Sequence, residues 1–207
     1  MPTSERWIIR PESGSSVSVP ADEKELVRIA EEHFADSADQ IVAESAAELR
    51  YARRDPTGHF VGFESRGETA ELLGLLPHPE GGWYRRTWET DIAVTPPGYG
   101  GQRPTGTAIY CLLLPGEASR WHRVRSDEIY LWHRGGPLTL WLGGAGAVPD
   151  QRPTDHRLGA DLAAGERPQL RIPAGTWQRA EPAAGAEVLI SCVVSPGFDF
   201  ADFTVLD

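Results

Sequence analysis

His122 and Glu128 are separated by a turn-forming run, Arg125-Ser126-Asp127, between two β-rich segments. One strand would then end at His122 and the next begin at Glu128, so the spacing brings an imidazole beside a carboxylate. Such a pair can do acid–base chemistry near neutral pH: the carboxylate holds the imidazole in one tautomer and raises its pKa. Alternation along the second strand puts Glu128, Tyr130 and Trp132 on one face and Ile129, Leu131 and His133 on the other. Tyr130 is therefore a candidate catalytic acid with His122 and Glu128, and Tyr84 a candidate complement. Asp127 and Glu128 face opposite ways and cannot flank one glycosidic bond. The alternative is a buried His–Glu contact that closes the fold without chemistry.

These residues need elements to hold them. Around the pair, Gly116 to Gly135 reads GEASRWHRVRSDEIYLWHRG. Further on, Gly165 to Gln178 carries the rigid Pro173-Ala-Gly175 turn two residues before Trp177-Gln178. The two stretches resemble the two signature motifs of the cupin superfamily, with Val124 and Gln178 at two of its histidine positions. Leu76 to Tyr84 (LPHPEGGWY), Gly106 to Tyr110, Pro173 to Gln178 and Ser195 to Phe203 (SPGFDFADF) resemble in particular the small uncharacterised branch of the dTDP-sugar-epimerase-like (RmlC-like) type. The resemblance covers residues 68 to 207. It implies an all-β, RmlC-like jelly-roll β-barrel, commonly a homodimer, with a small-molecule pocket at its centre.

A metal cupin generally surrounds its ion with three histidines and one glutamate. Here only His122 and Glu128 of that set remain. One imidazole, one carboxylate and one amide make a poor transition-metal site. No cofactor is favoured. A divalent transition metal is the alternative, held by His122, Glu128 and Gln178 and completed only from His78 or His156. Tyr84, Arg86, Trp132 and Gln178 are expected to bind substrate, Arg86 by its parity with Tyr84 along one strand.

A net charge of −10 excludes generic nucleic-acid binding. Lys24 is the only lysine, so nearly all positive charge is arginine. No apolar run reaches the roughly 20 residues of a membrane span, and the polar start resembles no signal peptide, which leaves a cytoplasmic location as the expectation. Cys111 and Cys192 lie in separate apolar β runs without zinc-like spacing and read as small core residues.

The chain divides near residues 66 and 67. Residues 1–19 read as disordered, and 22–53, with apolar residues at helical spacing, as an amphipathic helix, continuous or broken near Ser37. Residues 67–207 would form the barrel. Glu68–Leu75 reads as a short helix. Strands are expected at Trp83–Glu89, Thr105–Leu114, Glu128–Arg134, Leu138–Leu142, Gln169–Ile172, Glu187–Val194 and Phe203–Leu206. The Pro/Gly-rich loop Asp91–Arg103 reads as a lid. Three functions remain: a metal-independent isomerase or epimerase acting by proton transfer on a small polar metabolite, a metal-dependent oxygenase or lyase, and a non-catalytic ligand-binding protein.

Overall fold

The computed structural model describes residues 6–11, 14–20 and 22–206. The chain forms two compact units, divided between Pro79 and Glu80. In the first, strands β1 (Arg6–Pro11), β2 (Val17–Pro20), β3 (Ile41–Glu44), β4 (Leu49–Arg54) and β5 (Phe60–Ser65) make an antiparallel sheet in the order β2-β1-β3-β4-β5. Helix α1 (Glu23–Phe34) packs Leu26 and Ala30 into a core with Trp7, Ile9, Val19, Ile41, Phe60 and Phe63. The helix expected over 22–53 is thus corrected: only Glu23–Phe34 is helical, ending close to the break allowed near Ser37, and no second helix follows before residue 53. Asp22 caps its start, its Oδ1 accepting from the Lys24 and Glu25 amides at 2.9 and 3.2 Å. At the far end the Arg54 guanidinium donates to the carbonyls of Phe34, Ala35 and Ser37, satisfying groups that another helical turn would have used. Ile41, which fits the helical spacing, instead begins the strand Ile41–Glu44 that pairs with β1. Disorder over 1–19 is corrected in the same way for β1 and β2; residues 1–5, 12 and 13 lie outside the described residues. The short helix α2 (Glu68–Leu73) ends at Gly74 in the left-handed conformation, before β6 (Leu76–Pro77).

The second unit holds β7 (Trp83–Glu89), β8 (Ala93–Val94), β9 (Arg103–Pro104), β10 (Thr107–Leu113), β11 (His122–Val124), β12 (Asp127–Gly135), β13 (Leu138–Leu142), β14 (Thr154–Leu158), β15 (Gln169–Ile172), β16 (Gln178–Pro182), β17 (Val188–Ser195) and β18 (Phe203–Val205). All seven expected strands are present to within two residues at either end. Two sheets result, one with the order β15-β12-β17-β10-β7 and the other β14-β13-β16-β11-β18. Their inner faces share one core: Tyr130, Ile172, Val188, Ile190 and Cys192 from the first meet Leu138, Leu140, Leu158 and Ala180 from the second. This is the all-β jelly-roll architecture.

The Asp91–Arg103 loop is not built as a free lid. Its ends pair as the β8–β9 hairpin, and the Tyr99 hydroxyl meets Ser126 Oγ at 2.9 Å. Tyr99 also lies against the guanidinium groups of Arg103 and Arg125, both ion-paired with Asp202. Those contacts tie the loop to the β11–β12 turn and to the C-terminal segment.

Gly135 ends the strand that carries Glu128 and Tyr130. Its φ is +97°, and an added Cβ would collide with the Glu187 carbonyl. Gly116 also has positive φ but has nothing within 4 Å of such a Cβ. Gly135→Ala should therefore cost about 3 kcal/mol or more in chemical denaturation, and Gly116→Ala only about 1 kcal/mol. Equal losses would contradict this packing.

Candidate functional site

Four backbone pairings assemble the site. His122 on β11 lies directly opposite Gln178 on β16 and, on its other side, opposite Val205 of β18. Glu128 comes from the facing sheet, between Ile172 of β15 and Val194 of β17. The Pro173-Ala-Gly175 turn fixes where β16 starts: Gly175 takes φ +72° and its amide donates to the Val124 carbonyl at 2.8 Å. Asp127 secures the same turn, accepting from the Ala174 amide at 2.9 Å and from Arg171 at 3.0 Å.

Inside, Gln178 Nε2 donates to Glu128 Oε2 at 2.7 Å, joining the two sheets through a buried amide–carboxylate bond. Gln178 is fully buried, and its Oε1 has no hydrogen-bond partner among the described residues. His122, 2% exposed, sends Nδ1–H to the Arg120 carbonyl at 2.8 Å, with Glu80 Oε2 at 3.2 Å from the same nitrogen. A carbonyl can only accept, so Nδ1 carries the hydrogen and Nε2 presents a lone pair.

This corrects the expected pairing in two respects. The carboxylate beside the imidazole's Nδ1 is Glu80, not Glu128. Burial also lowers the His122 pKa rather than raising it, against the opposing pull of the Arg120 carbonyl and Glu128. Burial pushes the Glu80 carboxyl up to about 8. It pushes Glu128 up to about 7, opposed by His122, Gln178 and the Cys192 thiol. The Tyr130 hydroxyl is likewise raised by burial and then by Glu128, so it stays protonated.

His122, Glu128, Tyr130 and Gln178 are all buried at the centre of the second unit. Tyr84 sits opposite Cys111 on the same inner face, half-buried, its pKa raised by burial. Trp132 packs against the core with its Nε1 donating to the Gly136 carbonyl, so it is a wall held in place rather than a free polar contact. Arg86 falls in register with Ile109, but its side chain is 41% exposed and ion-paired with Glu89; it is outside the buried group. His133 turns away to Ser191 Oγ at 2.6 Å. Three contributors were missed. Glu80 follows Pro77-His-Pro79 as a lone acid in a turn, and only its place in the LPHPEGGWY phrase pointed to it. Cys111 and Cys192, read as core, have thiols in contact inside the barrel, and Cys192 also reaches Glu128.

The donor set does not fit a transition metal. Val124 is an aliphatic side chain where a second imidazole would stand, and the Gln178 N–H groups address the one carboxylate of the set. His156 is exposed and bonded to Thr154. Among the described residues no three His, Cys, Asp or Glu side chains form a group able to hold an ion. No helix among them is long and apolar enough to cross a membrane.

Two facing antiparallel sheets with a polar cluster buried between them define a cupin-type barrel. Residues 67–206 match the family model described as cupin superfamily, DUF985, and the chain belongs to that family. An uncharacterised protein of Saccharomyces cerevisiae, YML079W, is 31% identical over 147 residues, covering 64% of this chain and 70% of its own length. The crystal structure of protein SO0799 from Shewanella oneidensis is 36% identical with a TM-score of 0.60, over 68% of this chain and 83% of that one. A hypothetical protein from Leishmania major is 33% identical with a TM-score of 0.59, over 66% and 84% of the two chains. Membership of this superfamily supports a small-molecule-binding barrel.

The raised carboxyls set the sign of the pH dependence. Unfolded, Glu80 loses its proton near 4.5; folded, it keeps it to about 8. Its stabilising contribution is whole below the lower value and is lost as pH rises through the upper one. His122 acts oppositely, its contribution being present above 6.5 and lost as pH falls below. Glu80→Gln should therefore narrow the fall in Tm between about pH 5 and pH 9 by roughly 2–5 °C. An unchanged fall would mean that Glu80 is already ionised at low pH.

Proposed function

We propose that the barrel binds a small polar metabolite and moves a proton on it, as metal-independent isomerases and epimerases do. The observation that carries this reading is one buried group holding three ionisable side chains tuned towards neutrality. His122 is kept neutral, while Glu128 and Glu80 titrate near 7 and 8. General acid–base catalysis works best when the catalytic pKa lies close to the working pH.

The roles follow from the hydrogen bonds. Nδ1 of His122 is committed to the Arg120 carbonyl, so Nε2 is the free base. It would take a proton from a carbon next to a carbonyl. Glu128, ionised in part, would hold the resulting imidazolium, and Gln178 fixes the orientation of that carboxylate. Glu80 or the protonated Tyr130 would return a proton to the substrate; the imidazolium would then pass its proton to the deprotonated acid, directly or through solvent, so that the molecule leaves rearranged and the protein is restored. The chemistry needs no outside oxidant or reductant.

Mass spectrometry of whatever small molecule is released on denaturing the purified protein identifies the substrate candidate. On that compound, His122→Ala should lower turnover by about 10²-fold with a much smaller loss of binding, and Glu128→Gln should act in the same direction. The rate should follow two groups titrating near 7 and 8. Full activity in both variants, or activity that tracks stoichiometric bound metal, would reject proton transfer by these residues.

A further inference from the structure

The buried group offers a ligand acceptors and weak acids, and among the described residues no fixed positive charge. We propose that the small molecule bound beside Glu128 is an organic cation with several N–H donors, an alkylammonium or guanidinium group, with Glu128, Gln178 and His122 as its acceptors. This rests on the barrel being a small-molecule site and narrows what that molecule is.

Donor and acceptor capacity is the first argument. The Gln178 amide nitrogen is bonded to Glu128, and its Oε1, wholly buried, is without a partner among the described residues. An unsatisfied buried acceptor costs about 1–3 kcal/mol, which a donor from the ligand would recover. His122 Nδ1 is used, which leaves an acceptor at Nε2. Glu128 itself, when ionised, accepts only. Three acceptors from two facing sheets suit a group such as –NH3+, with three donors, or a guanidinium with five.

Charge is the second. Around Glu128 are Glu80 from the turn before β7, His122 from β11, Tyr130 from its own strand, Gln178 from β16 and Cys192 from β17, with Cys111 from β10 touching Cys192. None is a fixed cation, and His122 is held neutral by burial. The arginines that the sequence places nearby are engaged elsewhere: Arg86 with Glu89, Arg103 with Asp202, and Arg120 through its backbone alone while its side chain is exposed. A buried carboxylate without a counter-charge is held towards its neutral form, as Glu128 is. An anionic ligand would add repulsion. A neutral polyol would satisfy hydrogen bonds and leave the charge unmatched. A metal ion would meet the Gln178 N–H groups beside the carboxylate it needs. The aromatic face of Tyr130, on the same side of β12 as Glu128, adds a surface that attracts cations.

Calorimetry on the full chain with methylguanidinium and with N-methylurea tests this, because the two probes share shape and differ in charge. Methylguanidinium should bind at least about tenfold more tightly. Glu128→Gln should reduce it to the level of the urea, while the exposed-acid control Glu44→Gln should leave the preference intact. Should Glu128→Gln fail to fold, the same comparison on the unaltered chain, with NMR shifts at the Gln178 amide and His122 ring locating the probe, decides the matter. Equal binding of the two probes, preference for acetate or methyl phosphate, tighter binding of Zn2+ by these residues, or no binding by any probe would overturn the cation. Urea or acetate bound at Gln178 and His122 would sink the cation and keep the small-molecule site. Tight methylguanidinium binding with a His122→Ala variant of full turnover would keep the cation and sink the proton transfer.

Discussion

The hydrogen bond from Gln178 Nε2 to Glu128 Oε2, 2.7 Å long and buried, is the interaction on which the site depends. It is the polar link that crosses between the two sheets at the position of the catalytic candidates. A hydrogen bond to a charged group contributes about 1.5–3 kcal/mol, and losing its donor leaves a carboxylate buried and unmet. Gln178 lies opposite His122 in register, so the bond that orients the carboxylate also sets its distance from the imidazole. The turn at Pro173-Ala-Gly175 and the Asp127 contacts to Arg171 and Ala174 exist on either side of this link and hold its two strands in phase.

Burial then does the electrostatic tuning. Withdrawing Glu80, Glu128 and His122 from water disfavours the charged form of each, moving the two acids up towards neutral pH and the base down, so that the imidazole stays neutral beside them. A histidine position occupied by Val124 and another by Gln178 turn a metal-type arrangement into one of acceptors and weak acids. On the function proposed above, the same barrel scaffold would carry proton chemistry without an ion to organise it.

Much of the second unit was readable from sequence because its strands are short apolar runs between Gly, Pro and Asp turns, and alternation fixes which side chains point inward. Glu128, Tyr130 and Trp132 follow that rule, as does the turn that presents Gln178. The first unit was harder. Ile41, Ser45 and Leu49 satisfy helical spacing by coincidence, and only the tertiary pairing of Ile41–Glu44 with β1, together with Arg54 closing the end of α1, decides for strand. Glu80 could not be placed by periodicity, since it belongs to no strand or helix; its approach to His122 is set by long-range folding. Parity put Arg86 on the inner side, but the end of β7 is open to solvent and Glu89 offers a nearer partner. Cys111 and Cys192 were correctly taken as buried or partly buried, though strand pairing brings them into contact next to the acids, which no spacing in the chain could show.

The central claim is that two carboxyls inside the barrel lose their protons near neutral pH, far above the usual carboxylate range, beside a neutral imidazole. Titration of the glutamate side-chain carbons by 13C NMR, with Glu80 and Glu128 assigned by their Gln variants, measures it directly. The account predicts midpoints near 8 and 7 for these two, with Glu25, Glu31 and Glu48 below the usual carboxylate value. Midpoints near 4.5 for both would show carboxylates already ionised and solvated, and would contradict it.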